Sequence, residues 1–193
     1  MFIAMLLAIT IAPAAQDASP QKLFESGKYQ EAIDTVKKRS DASPEDVYVR
    51  ALAHRKLNQN DDAKEAFGAL ARRDGAWKEI GSSGTAMIEG NMDDAAAAAR
   101  RAVEGDGNSA DARFQLGLVE SARNNQQQAA DAFAKAAELD PQMAYAHYEA
   151  GMAFYKAKKI DRMAVYFENF LKLAPNAPER PAVQSIMKTI RGR

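Results

Sequence analysis

The chain has 193 residues, with 26 lysines and arginines against 26 aspartates and glutamates, no cysteine and 47% hydrophobic residues. Zero net charge offers no field to gather nucleic acid or an anionic membrane surface. Without cysteine there are no disulfides, thiol nucleophiles, thiolate metal sites or acylated cysteine anchors. The remaining composition is that of a soluble chain of single-domain size. Its excess of alanine, about 40 residues, favours helices that pack closely, because alanine is the best helix former and a very small side chain.

Residues Met1 to Gln16 carry no charge, and the apolar run Phe2 to Ile11 leads into Ala12-Pro13-Ala14-Ala15. An apolar stretch ending in small residues predicts a secretory signal over residues 1–15, cleaved after Ala14 or Ala15. It is too short to span a bilayer comfortably. The mature protein is then expected in the periplasm or outside the cell. The first basic residue is Lys22, so the usual positive leader is missing. The alternative is a buried first helix in a cytoplasmic protein, although the run has no polar face for a surface helix.

Beyond Ser19 the chain repeats itself. Gly27-x-Tyr29, Asn58-x-Asn60, Gly90-x-Met92, Asn124-x-Gln126 and Lys158-x-Ile160 align, each followed by Ala32, Ala63, Ala95, Ala129 or Met163. These anchors lie 31, 32, 34 and 34 residues apart. Four residues after each stands Val36, Phe67, Ala99, Phe133 or Phe167, and twelve after each stands Pro44, Gly75, Gly107, Pro141 or Pro175. A period near 34 with two helical stretches per period is the signature of a helix-turn-helix solenoid.

The residues resemble the tetratricopeptide repeat family. Leu116-Gly117, Ala129, Phe133, Ala136 and Asp140-Pro141 follow its pattern, and Ala150-Gly151, Phe154, Phe167 and Pro175 repeat it. The resemblance implies an all-α fold, a right-handed α-solenoid of about five repeats over residues 16–177. Its first unit is cut short at about Pro20 to Ser26, and the third has Ser82-Ser83 in place of Leu-Gly. Small residues such as Ala51, Gly117 and Gly151 are expected to let the paired helices approach, with Phe67, Phe133 and Phe167 filling the wedge toward the next unit. Residues 178–193 are expected to form a capping helix, because Val183, Ile186, Met187 and Ile190 make one apolar stripe. Lys188, Arg191 and Arg193 at its end are ordinary helix C-terminal cations.

No catalytic constellation accompanies the repeats. His54 and His147 stand in different units without an acid or histidine at ligand spacing. Gly81-Ser82-Ser83-Gly84 lacks the Gly-x-Ser-x-Gly order of a nucleophile turn and is expected to be a close-packed helix segment. The chain is therefore expected to be non-catalytic and to need no metal or cofactor, a hydrolase being the distant alternative.

In the family the first helices line a concave groove. Its positions carried onto this chain are Tyr48, Leu52, Arg55 and Lys56; Trp77, Ile80, Gly84 and Met87; Asp111, Phe114, Leu118 and Ser121; and Tyr145, Tyr148, Met152, Tyr155 and Lys156. Two readings stay open. The aromatic stripe either packs between helices or anchors a bound peptide whose acidic flanks meet Arg55, Lys56 and Lys156, with Met87 and Met152 lending adaptability. Tyr48 and Leu52 stand where the family's carboxylate clamp needs lysine and asparagine, which disfavours a cytosolic cochaperone. The resemblance implies a protein or peptide partner, with no nucleic acid and no membrane span. Its expected role is a scaffold of the bacterial cell envelope, or else a structural subunit associating through the solenoid ends, where Leu23 and Phe24 are apolar.

Overall fold

The computed structural model describes residues 19–192, the side chain of Arg191 excepted, so the expected signal segment and Arg193 lie outside the described residues. These form helices and no strand. Five hairpins follow one another: α1 (Pro20–Glu25) with α2 (Tyr29–Lys37), α3 (Pro44–Lys56) with α4 (Asn60–Ala71), α5 (Ala76–Ile88) with α6 (Met92–Gly105), α7 (Ala110–Ala122) with α8 (Gln126–Leu139), and α9 (Ala144–Lys156) with α10 (Ile160–Leu173). A single helix, α11 (Arg180–Arg191), ends the array.

Each hairpin reverses on one left-handed residue. Gly27, Asn58, Gly90, Asn124 and Lys158 have φ of 76°, 58°, 82°, 64° and 60°, and they are the residues that open the five aligned segments. The next amide in every unit donates to the carbonyl five residues back, at 2.8 or 2.9 Å. This closes the end of the first helix and aims the chain into the second. Glycine adopts the conformation freely and asparagine tolerates it, whereas a lysine side chain crowds its own backbone. Helix starts are fixed as locally: the Ser19, Ser43 and Ser109 hydroxyls each accept the amide three residues on, satisfying a donor that the helix leaves open.

Between helices, packing depends on missing side chains. The anchors Ala32, Ala63, Ala95 and Ala129 are wholly buried. A Cβ added to Gly117 would lie 2.5 Å from the Phe133 ring, and one added to Gly151 would overlap the ring of Phe167. These rings therefore sit directly on the glycine of their own hairpin. Phe67 reaches forward, since a Cβ on Gly84 would overlap its ring. Gly84, expected on the concave face, instead makes room for this ring. Gly81 approaches the α4 backbone as a close-packed helix segment should, so that a Cβ there would overlap the Phe67 carbonyl oxygen.

The ends of the array meet. The Phe24 ring on α1 lies 4.9 Å from that of Tyr145 on α9, and the Glu25 carboxylate accepts the first amide of α9, Ala144 N, at 3.1 Å. Leu23 and Phe24, expected as an apolar end available for association, are both buried, Phe24 against Tyr145 in this closure. Beyond α10, the α11 helix buries Val183 and Met187, and Arg180 Nη1 donates to the Leu171 carbonyl at 2.6 Å.

Candidate functional site

Because the ends meet, α1, α3, α7 and α9 face one another across a narrow interior instead of lining an open trough. Tyr48, Leu52, Phe114 and Tyr145 of the predicted stripe line it, and Ile80 on α5 is buried in the core. Tyr48 meets Phe67 and Trp77 edge-on at 6.2 and 6.1 Å, Phe114 lies 5.3 Å from Phe133, and Tyr148 lies 5.1 Å from Phe170. Met87 is buried elsewhere, with Ala95, Ala96, Ala99 and Val119 between α5, α6 and α7. Arg55, Trp77, Leu118, Tyr148 and Met152 are half-buried, whereas Lys56, Lys156 and Tyr155 are exposed.

A polar clasp holds the interior shut. Tyr145 Oη lies 2.8 and 2.9 Å from the two Glu179 carboxylate oxygens and 3.1 Å from Tyr29 Oη. Tyr145 has one proton and the carboxylate can only accept, so Tyr145 donates to Glu179 and Tyr29 donates to Tyr145. Burial, Tyr29 and Glu179 together hold the Tyr145 hydroxyl far above the ordinary phenol range. Lys56 Nζ completes the group, 3.0 Å from Glu179 and 4.7 Å above the Tyr145 ring. The Pro178 ring lies against Gly27, where an added Cβ would come within 3.0 Å. Glu25 is fastened by Gln21 at 2.9 Å and Lys22 at 2.8 Å.

A second polar chain crosses the core between hairpins. Tyr48 Oη donates to Gln115 Oε1 at 2.9 Å, Gln115 Nε2 donates to Ser83 Oγ at 3.0 Å, and Ser83 donates to the Ala95 carbonyl at 2.9 Å. All four groups are buried and each hydrogen bond is satisfied. Ser83 occupies the position that carries glycine in the fourth and fifth units, and Ala99 in its own hairpin carries no ring to be seated. Hydroxyl chemistry here holds helices together.

Beneath the clasp lies a cavity of about 230 Å³ lined by Phe24, Leu52, Arg55, Lys56, Phe114, Leu118, Tyr145 and Glu149. Burial lowers the Arg55 pKa and raises that of Glu149. The two charges attract across the space, yet neither makes a hydrogen bond or an ion pair within 4.0 Å of a described residue. Nearby Asp111 is pushed up to about 7 by burial and then by Glu45 and Asp140. Sequence reasoning placed Arg55, Lys56 and Asp111 on this face but missed Glu25, Glu149 and Glu179. Only Glu149 carried a signal, since helical spacing from Tyr145 and Met152 sets it on the inward side.

His54 and His147 stay apart. His54 Nδ1 meets Gln59 Oε1 at 2.7 Å, while His147 Nε2 meets the Pro141 carbonyl at 3.2 Å. Among the described residues no group of histidine, aspartate and glutamate is arranged to hold a metal ion, and no helix is long and apolar enough to cross a membrane.

The stacked hairpins, their shared turn and their small-residue seams define an α-solenoid of helix-turn-helix repeats. A tetratricopeptide repeat model matches residues 85–144 and 114–178, and the chain belongs to the tetratricopeptide repeat family. Solved structures share the fold. TTC0263, a thermophilic repeat protein of Thermus thermophilus, is 18% identical with a TM-score of 0.63, over 87% of this chain and 95% of that one. YrrB, described as a repeat protein with an unusual peptide-binding site, is 18% identical with a TM-score of 0.54, over 86% and 88%. MamA is 21% identical with a TM-score of 0.50, over 80% and 93%. No curated protein sequence matches the chain.

Proposed function

We propose that this protein is a non-catalytic interaction adaptor of the bacterial cell envelope, and that a partner segment docks at the mouth of the concave side. The observation that carries this reading is what closure leaves accessible. Lys56 and Lys156 are exposed at the C-terminal turns of α3 and α9, near half-buried Leu118 and Met152, whereas Tyr155, also exposed, lies toward α11. Cations around an apolar floor suit an acidic segment with one or two large apolar anchors. Peptide binding by YrrB, a repeat protein of the same fold, supports the reading by analogy. The apolar segment before Gln16 supports an envelope location.

A photo-crosslinking residue at Met152, introduced in the native host, tests the site. Capture of one partner, lost on K56E/K156E and kept with a crosslinker at Met152 when outward-facing Lys64 is changed to glutamate, is the expected result. Equal capture from a crosslinker placed at Lys64 overturns it. Fractionation with N-terminal sequencing tests the location, with cleavage expected after Ala14 or Ala15 and an uncleaved cytoplasmic protein as the contrary result. A second reading, association through the solenoid end, is favoured by the apolar cleft between α11 and the α9–α10 turn, lined by Tyr155, Ile160, Ile186 and Ile190. Concentration-dependent sedimentation that I190E abolishes would establish it.

A further inference from the structure

The interior cavity places two opposite charges on the wall of one space that they share with apolar side chains. Arg55 comes from α3 and Glu149 from α9, while Phe24, Phe114 and Leu118 close the sides from α1 and α7. Both charges are half-buried, and a charge shielded from part of the solvent and without a hydrogen-bonded partner among the described residues is a candidate to serve a ligand. Arg55 and Glu149 have the opposite signs needed for an ion pair and line the same cavity, yet they form none within 4.0 Å. Whatever fills that space must accept from a guanidinium and donate to a carboxylate, and it must also cover aromatic and leucine side chains.

Size narrows the class. About 230 Å³ exceeds the share of a single water, about 30 Å³, and falls below the roughly 300 Å³ at which sites for drug-sized ligands begin. Half-buried Arg55 and exposed Lys56 mark the side from which the space is reached. Lys56 already serves Glu179 with one of its three donors, so it can supply a second cationic contact without leaving the clasp.

We propose that this cavity binds a free α-amino acid with a branched apolar or aromatic side chain. The carboxylate lies on Arg55 with Lys56 beside it, the ammonium lies on Glu149, and the side chain packs among Phe24, Phe114 and Leu118. Both termini are required, because each answers one otherwise unpartnered charge. Since α1, α3, α7 and α9 all contribute, occupancy ties the first unit to the last and stabilises the closed ring.

The experiment titrates the purified mature chain with L-leucine and L-phenylalanine by calorimetry and by thermal melting, alongside L-leucinamide and N-acetyl-L-leucine. Saturable binding is expected for the free amino acids, with a melting-temperature rise of a few degrees at saturation. Each capped form is expected to bind at least tenfold more weakly. In R55Q the loss falls on leucine and erases the difference between leucine and leucinamide; in E149Q it erases the difference between leucine and N-acetyl-leucine. Absence of saturable binding at millimolar concentration overturns the proposal, as does equal binding of the capped forms. Equal binding of Gly-Gly-Leu and leucine overturns it in favour of a polypeptide end. Should either variant fail to fold by circular dichroism, the comparison of free and capped ligands on the unmodified protein decides alone.

Discussion

The seams within hairpins and the seam between the two ends of the array are built from opposite materials. Within hairpins, Gly117 under Phe133 and Gly151 under Phe167 repeat one apolar solution at short sequence separation. Between the ends, Tyr29 with Tyr145 and Glu25 with Ala144 make polar contacts that occur once and join residues more than 100 positions apart, with Glu179 holding Tyr145 in place. Apolar seams tolerate repetition because burial has no direction. The polar seam fixes a single relative position, because each hydrogen bond demands a partner at one distance and angle.

Substitutions separate the two seams. Gly117→Leu should have the largest effect, since the first added atom already overlaps Phe133; a loss of about 3 kcal/mol or more is expected in chemical denaturation. Glu25→Ala should cost about 2 kcal/mol by leaving Ala144 N and Lys22 without their buried acceptor. It should also enlarge the radius of gyration in small-angle scattering while helix content by circular dichroism stays constant, whereas any expansion of Gly117→Leu should come with loss of helix. If Glu25→Ala leaves both stability and radius unchanged, the ends are not held by this contact.

Asp111 gives a pH signature of the interior. Its folded pKa of about 7 lies above the ordinary 3.8, so the folded state keeps a proton that the unfolded state releases between those values. Stability from this group is therefore full below pH 3.8 and is lost as pH rises through about 7. Asp111→Asn should remove that dependence and gain about 1 kcal/mol at pH 8 relative to the parent, read as a melting temperature roughly 2–4 °C higher. The smallest effect belongs to a turn: Lys158→Gly should gain about 0.5–1 kcal/mol by relieving the left-handed backbone at 60°. A loss there would mean that the lysine side chain contributes a contact outweighing its strain.

Much of the repeat architecture was legible, because it is written in local rules. The positions that align as Gly27, Asn58, Gly90, Asn124 and Lys158 are those whose backbone turns left-handed, and the spaced alanines are the buried anchors. The destination of each ring was less legible. Phe67 and Phe133 hold the same repeat position, and the missing side chain that receives the ring is Gly84 of the next unit in one case and Gly117 of the same hairpin in the other. The closure was not legible at all. Nothing in Glu25 or Glu179 distinguishes them from the other surface acids of the chain until the curvature brings their partners within 3.1 Å. Tyr48, Leu52, Phe114 and Tyr145 of the inner stripe share one interior, whereas Gly84, Met87 and Tyr155 leave it, and the aromatic residues are largely spent on packing.

An open solenoid can gain or lose a unit and remain folded, since each unit touches only its neighbours. Here the contact of Gly27 with Pro178 and of Glu25 with Ala144 spans the whole array, so the number of hairpins is set by geometry as a ring size is. Inserting or deleting one unit of about 34 residues would rotate Tyr145 and Glu179 away from the first hairpin and open the closure into a spiral. In this chain, copy number is a fixed dimension of the molecule, and adding a unit means giving up the clasp.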